Sequence, residues 1–165
     1  MAGTDSEPFA GPEHDGATQL TVTYDVALPY VEGGGRLLPL LRVGLQLANG
    51  HFHRVDALVD TGADLSLIEG RIAAAAGLDP TRDFLQTAPI AGVAGSTGLY
   101  VFVHRVTLYV GTSASFYAVS TDVGFTDPRV LLTANVLGRS GFLDRVRVGL
   151  DDTALPPLLY LGFPS

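Results

Sequence analysis

The chain has 165 residues, a length that favours a single domain with a core of its own. Its net charge is −7, with ten basic residues that are all arginine, and an acidic chain without a basic cluster disfavours a nucleic-acid partner. The lack of cysteine excludes thiol catalysis, thiolate metal sites and disulfides. No apolar run reaches the ~20 residues of a membrane span, so we expect no membrane partner.

The first seventeen residues differ in composition from the rest. Residues 1–17 contain four acidic residues, and Phe9 is the only large apolar side chain among them. This composition cannot form a packed core, so we predict a disordered acidic lead-in over 1–17 and one domain over 18–165. A basic segment followed by an apolar run would mark a secretory signal; none is visible, and we expect a cytoplasmic protein.

Alternating apolar and polar residues predict strands at the start of the domain. Residues 20–28 and 41–47 alternate with a period of two, which is typical of a strand with one buried face. Asn49 and Gly50 then give the strongest short signal for a hairpin, and the return strand runs over 55–59.

A short helix is predicted after this hairpin, and its start has two alternatives. Ser66 and Glu69 have the spacing of a capping box, and Gly77 supplies a stop. Alternatively, residues 65–68 complete a strand and the helix begins near Glu69. Further strands are predicted over 100–110, 115–120, 145–150 and 158–163, so the fold class is all-β with one or two short helices.

The strongest chemical signal is a carboxylate at the end of an apolar strand. Residues 57–64 read Ala-Leu-Val-Asp-Thr-Gly-Ala-Asp, which places Asp60 where the strand leaves the core. Two such carboxylates brought face to face share a proton, and the pair can then activate a water and protonate a carbonyl. Thr61 could brace the site, and Gly62 allows a substrate backbone to approach. The alternative is an ordinary turn in which Asp60 hydrogen-bonds its own backbone.

Three segments of the chain resemble the retropepsin-like aspartic proteases, and they occur in the family's order. Residues 58–64 match the active-site signature, 90–95 (Ile-Ala-Gly-Val-Ala-Gly) resemble the flap tip, and 135–139 (Asn-Val-Leu-Gly-Arg) resemble the segment before the family's helix. The resemblance covers roughly residues 37–150. It implies a retropepsin-like closed β-barrel that is active as a homodimer, with a second short helix over 140–143.

The resemblance also implies roles for individual residues. Asp60 would be the catalytic aspartate, with Thr61 and Gly62 supporting it. Arg139 would pair with Asp64, since a guanidinium fits a carboxylate; an ordinary surface arginine is the alternative. The implied substrate-binding residues are Gly62, Ala63, Asp64, Gly92, Val93, Ala94 and Gly95.

The chain contains one Asp-Thr-Gly sequence, so a pair of such aspartates needs two chains. We therefore predict a homodimeric aspartic endopeptidase that acts on a protein or peptide substrate through two copies of Asp60, without cofactor or metal. The alternatives are a non-catalytic dimeric module that binds extended peptides, and a structural dimerisation domain. The apolar residues 158–163 either form an intersubunit strand or close the core of each subunit.

His51 and His53 lie two residues apart and would share one face of a strand. That spacing could serve a metal site, but no third ligand is evident in the sequence, so we interpret them as histidines at the edge of the hairpin.

Overall fold

The computed structural model describes residues 21–90, 99–111 and 116–164, and the predicted lead-in over 1–17 lies outside these ranges. The described strands are β1 (Val26–Pro29), β2 (Val31–Gly33), β3 (Arg36–Leu38), β4 (Leu40–Gln46), β5 (Phe52–Val59), β6 (Leu67–Ile68), β7 (Gln86–Ile90), β8 (Leu99–Gly111), β9 (Phe116–Phe125), β10 (Asn135–Leu137), β11 (Arg147–Asp151) and β12 (Leu158–Gly162). A helix, α1, spans Gly70–Ala75. Within the described ranges no helix has the length and apolar character needed to cross a membrane.

Six of the strands close into a barrel. Hydrogen-bonded neighbours follow the order β4, β5, β10, β6, β9 and β8, and β8 pairs again with β4 to complete the circle. Strand β8 can do this because it has 13 residues: its first part pairs with β7 and its later part with β4. The predicted all-β, closed-barrel fold class is confirmed.

The hairpin of β4 and β5 shows how the sequence pattern fills the barrel. The inward residues are almost fully buried: Leu41, Val43, Leu45, Val55, Ala57 and Val59 are each at most 3% exposed. The outward residues Arg42 and Asp56 form a two-pronged ion pair in solvent, with distances of 2.7 and 2.8 Å. Gly50 has a φ of +83°, a conformation that glycine adopts without strain. The predicted hairpin is confirmed.

Strand β10 is inserted between β5 and β6. It pairs in parallel with β5, with Leu137 opposite Val59, and antiparallel with β6, with Val136 opposite Leu67. Because the chain passes directly from β5 to β6, residues 60–66 have to cross over the end of β10. The predicted catalytic segment and the segment at 135–139 are thereby brought into contact.

A second sheet joins the two ends of the described chain. Its order is β1, β12, β11, so the C-terminal strand is central, and Leu159 and Leu161 are at most 1% exposed. Both edges of β12 are therefore filled by its own chain, and residues 158–163 close the core of the subunit.

The strand predicted over 20–28 is shorter than expected and begins at Val26. The backbone N–H of Asp25 still donates to the carbonyl oxygen of Leu161 at 2.8 Å, and the carboxylate of Asp25 accepts the backbone N–H of Phe163 at 2.7 Å.

The helices depart from the sequence patterns in two ways. Strand β6 precedes α1, which confirms the alternative in which the segment ending at Ile68 is a strand and the helix follows Glu69. The helix predicted over 140–143 is wrong, because Ser140 forms a β-bridge with Leu65 and residues 141–143 form turns. Gly141 has a φ of +95° there, which a right-handed helix does not allow.

Candidate active site

Asp60 is the first residue beyond β5, and its position is fixed from two sides. Its backbone N–H donates to the carbonyl oxygen of Leu137 on β10 at 3.1 Å, so it extends the parallel pairing by one residue. Its carboxylate accepts the backbone N–H of Gly62 at 2.8 Å. The preceding Val59 is 3% exposed, whereas Asp60 itself is half-buried. The carboxylate is therefore presented at the surface by a backbone that belongs to the core.

The hydrogen bond from Gly62 is the contact of an ordinary turn after a strand, as the alternative interpretation of the sequence predicted. Thr61 and Gly62 are exposed at the tip of this turn, and so is Asp64. The turn interpretation of the Asp60 hydrogen bond is therefore confirmed.

The loop over residues 60–65, called the carboxylate loop below, is hydrogen-bonded to the segment that follows β10. The N–H of Arg139 donates to the carbonyl oxygen of Ala63 at 2.8 Å, and the N–H of Ser140 donates to that of Asp64 at 2.9 Å. Gly138, the residue before Arg139, packs directly against the same loop. A Cβ atom on Gly138 would lie 2.6 Å from the carbonyl oxygen of Leu65 and 2.8 Å from that of Ala63. Only glycine permits this approach, which explains the glycine of the 135–139 segment.

Ser66 is a supporting residue whose role the sequence motifs did not reveal. Its side chain is fully buried, and its hydroxyl accepts the N–H of Gly138 at 3.1 Å. The spacing of Ser66 and Glu69 predicted a helix cap, but α1 begins four residues after Ser66 without a side-chain cap. A lone polar residue between Leu65 and Leu67, directly after the carboxylate loop, is the signal that could have identified it.

Arg139 does not form the ion pair with Asp64 that the resemblance implied. Its side-chain Nε donates instead to the carbonyl oxygen of Thr61 at 3.2 Å. Among the described residues the ion pairs include neither Arg139 nor Asp64. The backbone of Arg139 is hydrogen-bonded to Ala63, the neighbour of Asp64, and this directs the guanidinium back along the loop toward Thr61.

The predicted flap is flanked by β7 and β8, which form an antiparallel hairpin with Ile90 opposite Leu99. The tip residues Gly92, Val93, Ala94 and Gly95 lie outside the described residues. Gly124 on β9 lies between the hairpin and the carboxylate loop. A Cβ placed on Gly124 would be 2.9 Å from the side chain of Val101 on β8 and 2.9 Å from that of Leu65, so these two side chains are close to each other. The hairpin therefore rises beside the loop that carries Asp60.

The remaining charged groups lie apart from this loop. A hydrogen bond from Arg42 lowers the pKa of Asp56 on the outer face of β5, and a hydrogen bond from Arg129 lowers the pKa of Asp127 after β9. His51 is exposed in the hairpin turn and His53 is half-buried on β5. Within the part of the chain that the structure describes, no three histidine, aspartate or glutamate residues are grouped to hold a metal ion.

Comparison with known proteins gives one family match and a related fold. A family model described as aspartyl protease matches residues 43–140, which is more than half of the chain. A crystal structure of a retropepsin-like aspartic protease from Rickettsia conorii is 14% identical, with a TM-score of 0.52 over 86% of this chain and 97% of that chain. The two chains share a fold.

EIAV protease complexed with the inhibitor HBY-793 is 18% identical, with a TM-score of 0.36 over 66% of this chain and 88% of that chain. No curated protein matches the sequence significantly.

Proposed function

This chain belongs to the aspartyl protease family, and from that premise we propose that it is an endopeptidase whose catalytic group is Asp60, contributed by both subunits of a homodimer. The observation that carries the proposal is the placement of Asp60: its backbone continues β5, and its carboxylate is oriented by the N–H of Gly62 at 2.8 Å. A rigid platform of this kind holds a reacting group in a fixed position.

The proposed reaction needs two carboxylates that share one proton. The ionised carboxylate takes a proton from a water molecule, whose oxygen attacks the carbonyl carbon of the scissile peptide bond. The protonated carboxyl group gives its proton to the carbonyl oxygen, which forms a tetrahedral diol. As the diol collapses, the carboxyl group that took a proton from water gives it to the leaving amine, and the other carboxylate accepts a proton from one hydroxyl of the diol. The chain has one Asp-Thr-Gly sequence, so the second carboxylate is assigned to a second chain.

The proposed substrate site surrounds this pair. We assign substrate binding to Gly62, Ala63 and Asp64: Gly62 and Asp64 are exposed on the loop and Ala63 is half-buried between them, so the carbonyl group of Gly62 and the carboxylate of Asp64 can meet an extended peptide. We assign the opposite wall to the flap, through Gly92, Val93, Ala94 and Gly95. Closure of the flap would exclude water and order the peptide.

The variant Asp60→Asn tests the proposal. Its amide oxygen can still accept the N–H of Gly62, so we expect the fold to be kept, while cleavage of a peptide library falls by roughly 10³-fold or more because general acid–base catalysis is lost. Asp83→Asn is the matched control: Asp83 is exposed in the segment between α1 and β7, and its φ of 52° is one that asparagine also adopts. Equal cleavage by wild type and Asp60→Asn would refute the assignment.

The same pair of proteins separates an enzyme from a peptide-binding module. If wild type binds library peptides without cleaving them, and Asp60→Asn binds them equally well, the chain is a binding module. The shared site is tested by mixing: an excess of Asp60→Asn chains should suppress wild-type turnover by forming mixed dimers. Turnover that is unchanged by the excess, under conditions where subunits exchange, would show that each chain has a complete site.

A further inference from the structure

A groove lies between the start of β9 and the turns that precede β11. Its volume is about 620 Å³, a size typical of ligand sites. Its apolar centre includes Val119, which is 6% exposed, and the ring of Tyr117, which stacks on that of Phe163 with 5.1 Å between centroids. The groove is called the β9 groove below, and the lining residues that matter for its chemistry are Tyr117, Val119, Leu143, Arg145, Arg147 and Pro164.

The rim of the β9 groove carries an excess of positive charge. Arg145 and Arg147 are exposed there, and Asp144 lies beside them with its carboxylate 3.4 Å from the Nε of Arg145. Arg147 donates an N–H to the carbonyl oxygen of Phe163 at 3.1 Å, which holds its side chain along the groove. A guanidinium has five N–H donors, so this bond leaves donors for a carboxylate. The groove therefore fits a segment that carries an apolar side chain and a carboxylate close together.

The described chain begins beside this groove. Its first residue is Thr21, and the pairing of β1 with β12 starts at Val26. A Cβ placed on Gly162 of β12 would lie 3.1 Å from the carbonyl oxygen of Thr23 and 3.1 Å from the Nε of Arg147. The start of the described chain and the positive rim of the groove are therefore neighbours.

The lead-in has the chemistry that the β9 groove fits. Residues 1–17 contain four acidic residues and no arginine or lysine, and Phe9 is their only large apolar side chain. Glu7 precedes Phe9 by two positions, a spacing that puts both side chains on one face of an extended segment. Phe9 precedes Thr21 by twelve positions, which an extended chain spans with roughly 40 Å, so Phe9 can reach the groove of its own chain.

A second groove with arginine at its edge lies on the outer face of the barrel. It is lined by Phe52, Tyr109 and Phe116, with Arg54 beside them. None of the described residues that line it belongs to the terminal sheet, whereas Arg147 of the β9 groove lies on β11 of that sheet. The position where the described chain begins therefore favours the β9 groove.

We propose that the acidic lead-in binds in the β9 groove of its own chain, with Phe9 against Tyr117 and Leu143 and with Glu7 against Arg147. This inference does not rest on the proposed function, because the contact requires neither peptide cleavage nor a second chain.

Fluorescence from one introduced tryptophan tests the proposal in the full-length protein. The sequence contains no tryptophan, so Phe9→Trp supplies a single reporter at the position that we assign to the groove. We expect emission at shorter wavelength, and weaker quenching by acrylamide, than in the same protein unfolded in urea. Emission and quenching equal to those of the unfolded protein would overturn the proposal.

Charge reversals test the contact between Glu7 and Arg147. In the Phe9→Trp protein, Arg147→Glu turns attraction into repulsion at an exposed pair, so the ratio of bound to released lead-in should fall roughly threefold to tenfold. Glu7→Arg should have the same effect without changing any residue of the described fold. The two reversals combined restore opposite charges, so the tryptophan should be protected again. A combined variant that is quenched as strongly as Arg147→Glu alone would overturn the proposal.

Arg54→Glu is the matched control, because it makes the same change of charge at the exposed arginine of the second groove. It should leave the emission unchanged; release by Arg54→Glu but not by Arg147→Glu would place the lead-in on the outer face of the barrel and overturn the proposal. Protection that is lost on dilution would place the lead-in on a second copy of the chain, which overturns it too. Circular dichroism checks the fold of each variant, and mass spectrometry checks that the lead-in is intact.

Discussion

Substitution of Gly138 by alanine should damage both stability and activity, because the carboxylate loop rests on this glycine. The new Cβ would lie 2.6 Å from the carbonyl oxygen of Leu65 and 2.7 Å from its carbonyl carbon, against 3.4 Å for ordinary contact, so the loop has to retreat by about 0.8 Å. Both are backbone atoms, so a side-chain rotation cannot relieve the clash. Overpacking of this kind costs roughly 1–3 kcal/mol in the free energy of unfolding.

The loss of activity should exceed what the loss of stability explains. A displacement near 1 Å at a catalytic group costs on the order of 10²-fold, so kcat/KM of Gly138→Ala should fall by roughly 10-fold to 100-fold at a temperature where the variant is fully folded. Thermal unfolding should show a Tm lower by roughly 2–12 °C, at about 2–4 °C for each kcal/mol.

Gly149→Ala is the matched control for this experiment. A Cβ on Gly149 would also be crowded, with the Tyr24 hydroxyl at 2.7 Å, but the atoms that it meets belong to a half-buried side chain that can turn away. Its kcat/KM should stay near the wild-type value. If Gly138→Ala has the same kcat/KM and the same Tm as wild type, contact with Gly138 does not position the loop.

Two further predictions concern arginines. Arg139→Ala removes the hydrogen bond to the Thr61 carbonyl oxygen, so kcat/KM should fall several-fold. Because Arg139 is exposed and the bond is worth about 1 kcal/mol at most, Tm should fall by no more than about 2–4 °C. An unchanged kcat/KM would show that this bond does not position the loop. A hydrogen bond from Arg129 lowers the pKa of Asp127 in the folded state. The contact therefore stabilises the fold at any pH above the ordinary carboxyl pKa of about 3.9, and this stabilisation is lost as the pH falls below 3.9. The Tm difference between wild type and Arg129→Gln should therefore shrink on acidification, and a constant difference would argue against the ionic contact.

Several features of the fold could be predicted from the sequence because neighbouring residues encode them. The alternation in β4 and β5 and the turn at Asn49 and Gly50 need only local information, since side chains in a strand alternate between two faces and the turn joins adjacent strands. The position of Asp60 at a strand end is also local: an apolar run simply stops at a carboxylate and a glycine.

Other features depended on contacts between residues far apart in the chain, which a local pattern cannot specify. Residues 135–139 were marked by the family resemblance alone, and the insertion of β10 between β5 and β6 pairs Asn135 with Ala57, a separation that no turn signal encodes. The partner of Arg139 and the buried role of Ser66 follow from that insertion, because it brings Gly138 under the carboxylate loop. Thus the sequence by itself predicted Asp60 as the reacting group and located the local strands. Only the tertiary structure decided which backbone holds Asp60 in place, because parallel pairing and close backbone packing join segments that are distant in the chain.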